Sequence, residues 1–398
     1  MTCNDWCPWH ISSKSFKEIK VHTNQKVSSI STIEKQLNSS HKKVIENIRR
    51  NRKATRAEIA KATGLSNQTL TRLTQHLLSL GIVSEHSKIS GLRGQPATYL
   101  TLEPGVFASV GVIFEHDRVV VLLDDLDRTN IIRYCKDGTF LSAELAIEAA
   151  ISMLDQLFSE IKPSINVLGI GISISGFFTD TEGRICSQQD PQGWSKVNFQ
   201  ETFAKRYQQQ CFVENDGNAA SIGFSLTQKG AKLQSFYLML FTLDIGGGFV
   251  FEGGVVDGAF GNAGEISALF SSDKSLPRPT IGSLYKHLTA IWGEQATPKR
   301  VQEAIDNQDS NIMSWVTACV ETMKFPLKAI QSLLDPEAIV FTGRLPIELQ
   351  KLLSEKVIVT GASYGDVFAP TPKIHLADGN DILEKGVTAI PAFYFFKR

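Results

Sequence analysis

At 398 residues, with 42% hydrophobic and 21% charged residues, the chain has a globular composition and is too long for one ordinary core, so two or three domains are expected. No apolar run approaches the roughly 18 to 20 residues of a membrane span, and residues 1–5 lack the charged-then-apolar order of a signal peptide, which predicts a cytoplasmic protein with no membrane partner. A net charge of zero conceals a division: residues 41–100 hold eleven Lys/Arg against three Asp/Glu, whereas residues 101–398 carry a net of −10. A small basic unit joined to a large acidic one implies that the basic unit meets a polyanion.

The six cysteines, Cys3, Cys7, Cys135, Cys186, Cys211 and Cys319, are sparse and scattered, which argues for reduced thiols. Cys3, Cys7 and His10 offer three candidate ligands where a structural zinc takes four, so no metal is expected. Residues 1–40, rich in Ser, Thr, Asn and Lys, read as an arm with one short helix near 33–37. From His41 the pattern turns helical, with Val44, Ile45 and Ile48 on one face and Lys42, Lys43, Arg49, Arg50, Arg52 and Lys53 around the others. Thr55-Arg56-Ala57-Glu58 is a capping box that opens a second helix, which runs through Ile59, Ala60 and Ala62 and stops at Gly64. Ser66 caps a third, 67–80, whose stripe is Leu70, Leu73, Leu77 and Leu78; Gly81 closes it.

Two short helices about a glycine turn, the second opening on small polar side chains, match a helix-turn-helix whose second helix enters the major groove. Asn and Gln pair with adenine edges, and Arg with guanine. Strand 82–85, the basic loop 90–97 and strand 98–102 then read as a wing with Arg93 at its tip. The expected DNA contacts are Ser66, Asn67, Gln68, Thr69, Thr71, Arg72, Arg93, Gly94 and Gln95, with operator DNA as partner. A helical hairpin that merely packs on the next domain would leave the basic surplus and Arg93 unexplained.

Glu103-Pro104-Gly105 is the expected linker. Beyond it, strands at 107–114, 118–123 and 130–134, a helix at 142–161 and a strand at 166–174 match the opening of an actin-like ATPase half-domain. A second half is traced from strand 235–241 through 249–252, helices at 281–291 and 310–334, a strand at 338–341 and a terminal helix near 381–395. Between the halves lies Val213-Glu214-Asn215-Asp216-Gly217-Asn218-Ala219-Ala220, a polar knot at the end of an apolar strand. Ligands of open α/β folds bind at such C-terminal strand edges, and adjacent Asn215 and Asp216 supply the donor and acceptors that sugar hydroxyls need. The plainer reading is an Asx turn capping the next helix.

With Ile245-Gly246-Gly247-Gly248 and Gly261-Asn262-Ala263-Gly264-Glu265-Ile266 at preserved spacing, this knot makes residues 41–398 resemble the ROK family of repressors, open reading frames and sugar kinases. The resemblance implies an α/β chain: an N-terminal winged helix-turn-helix followed by an actin-like (RNase H-like) two-lobed domain, usually a homodimer. It divides the chain into an arm (1–40), a DNA-binding unit (41–102) and a sugar-sensing and dimerisation domain (106–398), with lobes about 106–230 and 235–380 and a C-terminal helix, 381–395. It also implies that Asn215, Asp216 and Glu265 hold sugar hydroxyls, Asp216 being the general base in the kinases.

Departures from the family pattern weigh against catalysis. The first phosphate loop reads Gly111-Val112-Ile113-Phe114-Glu115-His116-Asp117, without the family's glycine pair, and the second carries Asp244 where a glycine is usual. A carboxylate about 4 Å from a phosphate repels it by roughly 1 to 4 kcal/mol. Gly246–Gly248 is then expected to serve only a tight turn between lobes. The family's zinc-binding His and cysteine cluster are missing, and Tyr285 stands where a sugar-binding Glu is expected, a fourth expected ligand residue that offers a ring face and one hydroxyl instead. The chain thus reads as a winged-helix regulator of carbohydrate metabolism, expected to be a repressor, with a sugar or sugar derivative as effector and no cofactor. The alternatives are a sugar kinase with an appended DNA-binding unit and a ligand-independent DNA-binding protein.

Overall fold

The structure, a computed structural model, describes residues 36–87, 98–125, 131–162, 165–187, 191–271, 273, 276–377 and 381–397. Arg93, Gly94, Gln95, Cys3, Cys7 and His10 therefore lie outside the described residues.

Helix α1, Ser39–Asn51, starts two residues before the apolar pattern does, because Asn38 caps it: its side chain accepts from the His41 amide, and the His41 ring accepts from the Asn38 amide. Val44, Ile45 and Ile48 are buried as their spacing requires. Helix α2, Arg56–Thr63, carries the expected capping box, with Glu58 N–H donating to Thr55 Oγ1 at 3.3 Å and Thr55 N–H to Glu58 Oε2 at 2.7 Å. Gly64 takes the left-handed conformation that ends it (φ +69°). Helix α3, Asn67–Ser79, buries Leu70, Leu73 and Leu77; Leu78 is half-buried, and Thr74 takes the fourth core position. Strands β1, Val83–Ser87, and β2, Thr98–Leu102, pair antiparallel, and Ala54–Thr55 adds to the other edge of β2.

Strands β3 (Phe107–Glu115), β4 (Arg118–Asp125) and β5 (Ile131–Asp137) form an antiparallel meander. Helix α4 (Ala143–Glu160), capped by Ser142, returns the chain to β6 (Asn166–Ile174), parallel to β3. Helix α5 (Phe199–Tyr207) then leads to β7 (Cys211–Asn215), parallel to β6. Asn215 caps helix α6 (Asp216–Ser225), buried from Asp216 to Phe224. The second lobe repeats the plan. Strands β8 (Phe236–Phe241), β9 (Ile245–Phe251) and β10 (Gly254–Val255) meander, followed by helices α7 (Ile281–Trp292), α8 (Pro298–Asp306) and α9 (Ser310–Leu334). Strand β11 (Ala338–Gly343), helix α10 (Ile347–Lys356) and strand β12 (Lys373–Leu376) complete it, β11 and β12 running parallel to β8. The sheet orders β7-β6-β3-β4-β5 and β10-β9-β8-β11-β12 thus mirror one another: a central strand, an antiparallel meander on one side and two parallel strands on the other.

Helix α11, Ile382–Lys397, joins these parts. It packs on α6, β6 and β3 and ends against α1. Ala392, Phe395 and Phe396 share one apolar core with Phe107, Leu168, Val44 and Leu70, and the Lys42 ammonium sits 4.2 Å above the Phe395 ring. Lys42, read from the sequence as outward-facing, is in fact only 7% exposed. The α6–α11 contact is made by backbone. A Cβ on Gly386 would lie 1.7 Å from the Ala219 carbonyl oxygen, and one on Gly223 2.0 Å from that of Ile382. The glycines of β9 serve the same purpose, since a Cβ on Gly217 would meet the Gly247 oxygen at 2.0 Å. Gly246–Gly248 therefore lies inside a strand that α6 approaches closely, and the turn expected there is not formed. Gly386→Ala is expected to destabilise the protein by about 1–3 kcal/mol through overpacking, measured as a lower denaturation midpoint in urea.

Candidate ligand cleft and nucleic-acid interface

The winged unit presents one polar stripe. Asn67, Gln68, Thr71 and Arg72 are all exposed on α3, and Gln75, one turn beyond Thr71 and absent from the sequence-based set, extends the same face. The i, i+4, i+8 spacing of 67, 71 and 75 was the available signal. Ser66 and Thr69 play a local part: Ser66 Oγ accepts from the Thr69 amide at 3.2 Å, and the two hydroxyls lie 2.9 Å apart. The Thr71 hydroxyl donates to the Asn67 carbonyl at 2.8 Å. Part of the unit's positive charge is matched internally, Arg49 and Arg50 sharing Glu46 and Arg56 pairing with Glu85.

Between the lobes the structure brings together Asn215, Asp216 and Glu265. Asn215 Oδ1 caps α6 by accepting from the Asn218 amide at 2.7 Å, while its Nδ2 donates to Glu265 Oε1. Asp216 Oδ2 accepts from the Ser175 hydroxyl at 2.8 Å, a partner that sequence reasoning had passed over. Ser175 ends the β6 strand beside β7, so a hydroxyl directly after one strand meets a carboxylate directly after its neighbour. Glu265 sits in a loop that the Asn262 side chain pins to the first lobe, accepting from the Phe178 amide at 2.7 Å and donating to its carbonyl at 2.8 Å.

Tyr285 is placed differently. It lies on α7, and no hydrogen bond among the described residues joins it to those three; burial pushes its phenol up to about 12, with Arg344 pulling the other way.

The two acids share a poorly solvated site. Burial raises Asp216 to about 6, assisted by Glu115 and Asp244 and opposed by the Ser175 hydrogen bond. Burial raises Glu265 to about 8, with Asp216 and Asp244 adding to it and the Asn215 amide opposing. Near neutrality the pair therefore holds about one proton, and the cleft offers both a carboxylate acceptor and a carboxylic donor. Asp244 is held by Arg278 at 3.6 Å, and its carbonyl accepts from Thr242 N–H at 2.9 Å.

Comparison with known proteins follows this geometry. Residues 141–276 match the sequence profile of the ROK family, and residues 37–84 that of a winged helix-turn-helix DNA-binding domain. The chain carries a ROK family domain behind an N-terminal winged helix-turn-helix. Its fold is a winged helix-turn-helix followed by the two-lobed, sugar-kinase-like domain of that family. It is 28% identical to an uncharacterised protein of Sinorhizobium fredii over 340 residues, 84% of this chain and 86% of that protein. It is 21% identical to the xylose repressor of Bacillus subtilis, covering 69% of each. The crystal structure of a ROK family transcriptional regulator, a homologue of the E. coli MLC protein, superposes with a TM-score of 0.64 at 15% identity, over 90% of this chain and 97% of that one. Solved ROK kinases share the fold as well.

The raised acids carry a pH signature. A carboxyl whose folded pKa exceeds its unfolded value contributes stability that is complete below about pH 4 and is lost as pH rises through the folded value. Stability should therefore fall from about pH 4 to about pH 8. Glu265→Gln, which keeps the acceptor for Asn215, is expected to raise the melting temperature relative to the unmodified protein at pH 8.5 and to leave it unchanged at pH 4.

Proposed function

We propose that this protein is a sugar-responsive DNA-binding repressor. Its α3 stripe, Asn67, Gln68, Thr71, Arg72 and Gln75, reads an operator, and a sugar or sugar derivative binds at Asn215, Asp216 and Glu265. The observation that carries this reading is the exposed polar face of α3, in a winged helix-turn-helix joined to a ROK domain. The match to xylose repressors supports it and makes a pentose the first effector to try. Two copies of α3 in a homodimer would meet successive turns of the major groove.

A physical route joins the two sites. Asp216 begins α6, α6 interlocks with α11, and α11 lies under α1. Helix α1 reaches α3 through the His41–His76 ring contact, 2.9 Å between Nε2 and Nδ1. Ligand at the start of α6 would favour one setting of this train, and through it one spacing of the two α3 helices.

A kinase reading is favoured by one observation, since a buried Asp216 poised near 6 suits a general base. Asp244, Glu115 and Asp117 on the phosphate-facing turns oppose it, and the protein is not expected to turn over ATP. ATP-dependent phosphorylation of a hexose or pentose, abolished in Asp216→Asn, would establish the kinase instead.

The repressor reading is tested by fluorescence anisotropy on DNA from upstream of the protein's own gene, with and without xylose and other monosaccharides. Tight, salt-sensitive binding released by a sugar is expected; binding that no sugar alters would point to the ligand-independent protein. Asp216→Ala should abolish release while leaving DNA affinity nearly intact. Arg72→Ala should weaken binding by about 1–3 kcal/mol and relax preference at its base pair.

A further inference from the structure

The β3–β4 turn of the first lobe faces the end of β11 in the second. From that end Arg344 reaches across and grips Asp117 with both terminal nitrogens, at 2.7 and 2.9 Å, a contact between residues 227 apart in sequence. The same guanidinium lies 3.5 Å from Glu115, which also takes a hydrogen bond from Arg118. The Glu115 side chain is 5% exposed and that of Arg344 24%. Burial alone would raise Asp117, yet Arg344 overrides it and holds the carboxyl below its usual range.

Other ties cross the cleft: the Asn262 side chain on the Phe178 backbone, the Asn215–Glu265 bond, and the packing of Gly217 on Gly247. The first two surround the acid pair, and the third is a backbone contact about which the lobes can rock. The Arg344 bridge lies on the side of the cleft that carries the two strand turns, with their acids Glu115, Asp117 and Asp244.

We propose that Arg344 is a positioning residue of the ligand cleft, an interlobe strut that sets how far the lobes close and so how tightly Asn215, Asp216 and Glu265 converge on their ligand. This inference rests on the sugar-site reading for its effect on binding, but not for its effect on closure. Without the guanidinium, Asp117 would lose both of its hydrogen bonds to the second lobe, leaving Arg118 and Arg278 to offset Glu115, Asp117, Asp244 and Asp216, and the lobes would part on that side. A bidentate planar fork matches the Asp117 carboxylate, and a lysine would keep the charge with one bond fewer.

Hydrogen–deuterium exchange of the whole protein without ligand decides the point. In Arg344→Ala, and in Asp117→Asn should the first variant fail to fold, exchange should rise about tenfold or more in β9 and in the turn between β3 and β4. It should stay unchanged in α3 and α9, and Arg344→Lys should restore most of the protection. Unchanged exchange at the turn, an equal rise throughout the chain, or no restoration by lysine would overturn the strut. A sugar titration of DNA release forms the second arm: Arg344→Ala should raise the half-releasing xylose concentration about tenfold, and an unshifted midpoint would overturn the link to binding. If no sugar releases the unmodified protein from DNA, the sugar reading fails while the exchange result still decides the strut.

Discussion

The backbone of α6 touches its neighbours with no side chain between. Gly217 lies on Gly247 of β9, Gly223 on the Ile382 carbonyl, and the Ala219 carbonyl on Gly386 of α11. Contacts of this kind cannot be compressed or repacked by rotamer changes, so α6 and α11 can move only together. Since Asn215 caps α6 and Asp216 opens it, these two residues and the C-terminal helix make one mechanical piece. At its far end the same helix puts Phe395 and Phe396 into the core of the DNA-binding unit, beneath Lys42. The last element of the chain thereby holds the first one in register with the cleft.

Electrostatics divides the molecule in a way its overall neutrality hides. In the winged unit, acids tie down Arg49, Arg50 and Arg56, while Asn67, Gln68 and Arg72 stay exposed along α3. In the cleft the reverse holds: Arg118, Arg278 and Arg344 are paired, and the acid pair sits in a low-dielectric space that keeps a proton. Such a space accommodates hydroxyl groups far better than phosphates. Glu115, Asp117 and Asp244 at the strand ends and turns of the two lobes are paired with the protein's own arginines, Arg118, Arg344 and Arg278.

What could be read from the sequence follows the range of each interaction. Thr55, Glu58, Gly64 and Ser66 set α2 and α3 by bonds within a few residues, and Asn215 and Asp216 stood out at the end of an apolar strand, whereas Glu265 came from the resemblance to the ROK family. Helix α8 was legible in principle, through a Thr297 cap with Pro298 in the first turn, and was missed. Helix α10 follows Pro346 with no side-chain cap, so nothing local announces it. Burial of Lys42 against Phe395, the Ser175–Asp216 bond and the reach of Arg344 to Asp117 join residues 41 to 353 positions apart and leave no local pattern. The resemblance also pointed to Tyr285, which lies on α7, where burial pushes its phenol up to about 12 and Arg344 opposes the rise.

The central claim is a coupling free energy between the cleft and the recognition helix, and coupling is reciprocal. Isothermal titration of the effector sugar into the free protein and into the protein saturated with operator DNA measures it directly. If one train of helices connects the sites, DNA should weaken sugar binding by the same factor by which the sugar weakens DNA binding, about 5- to 150-fold. Equal sugar affinity with and without DNA would contradict the account, whatever the affinities themselves.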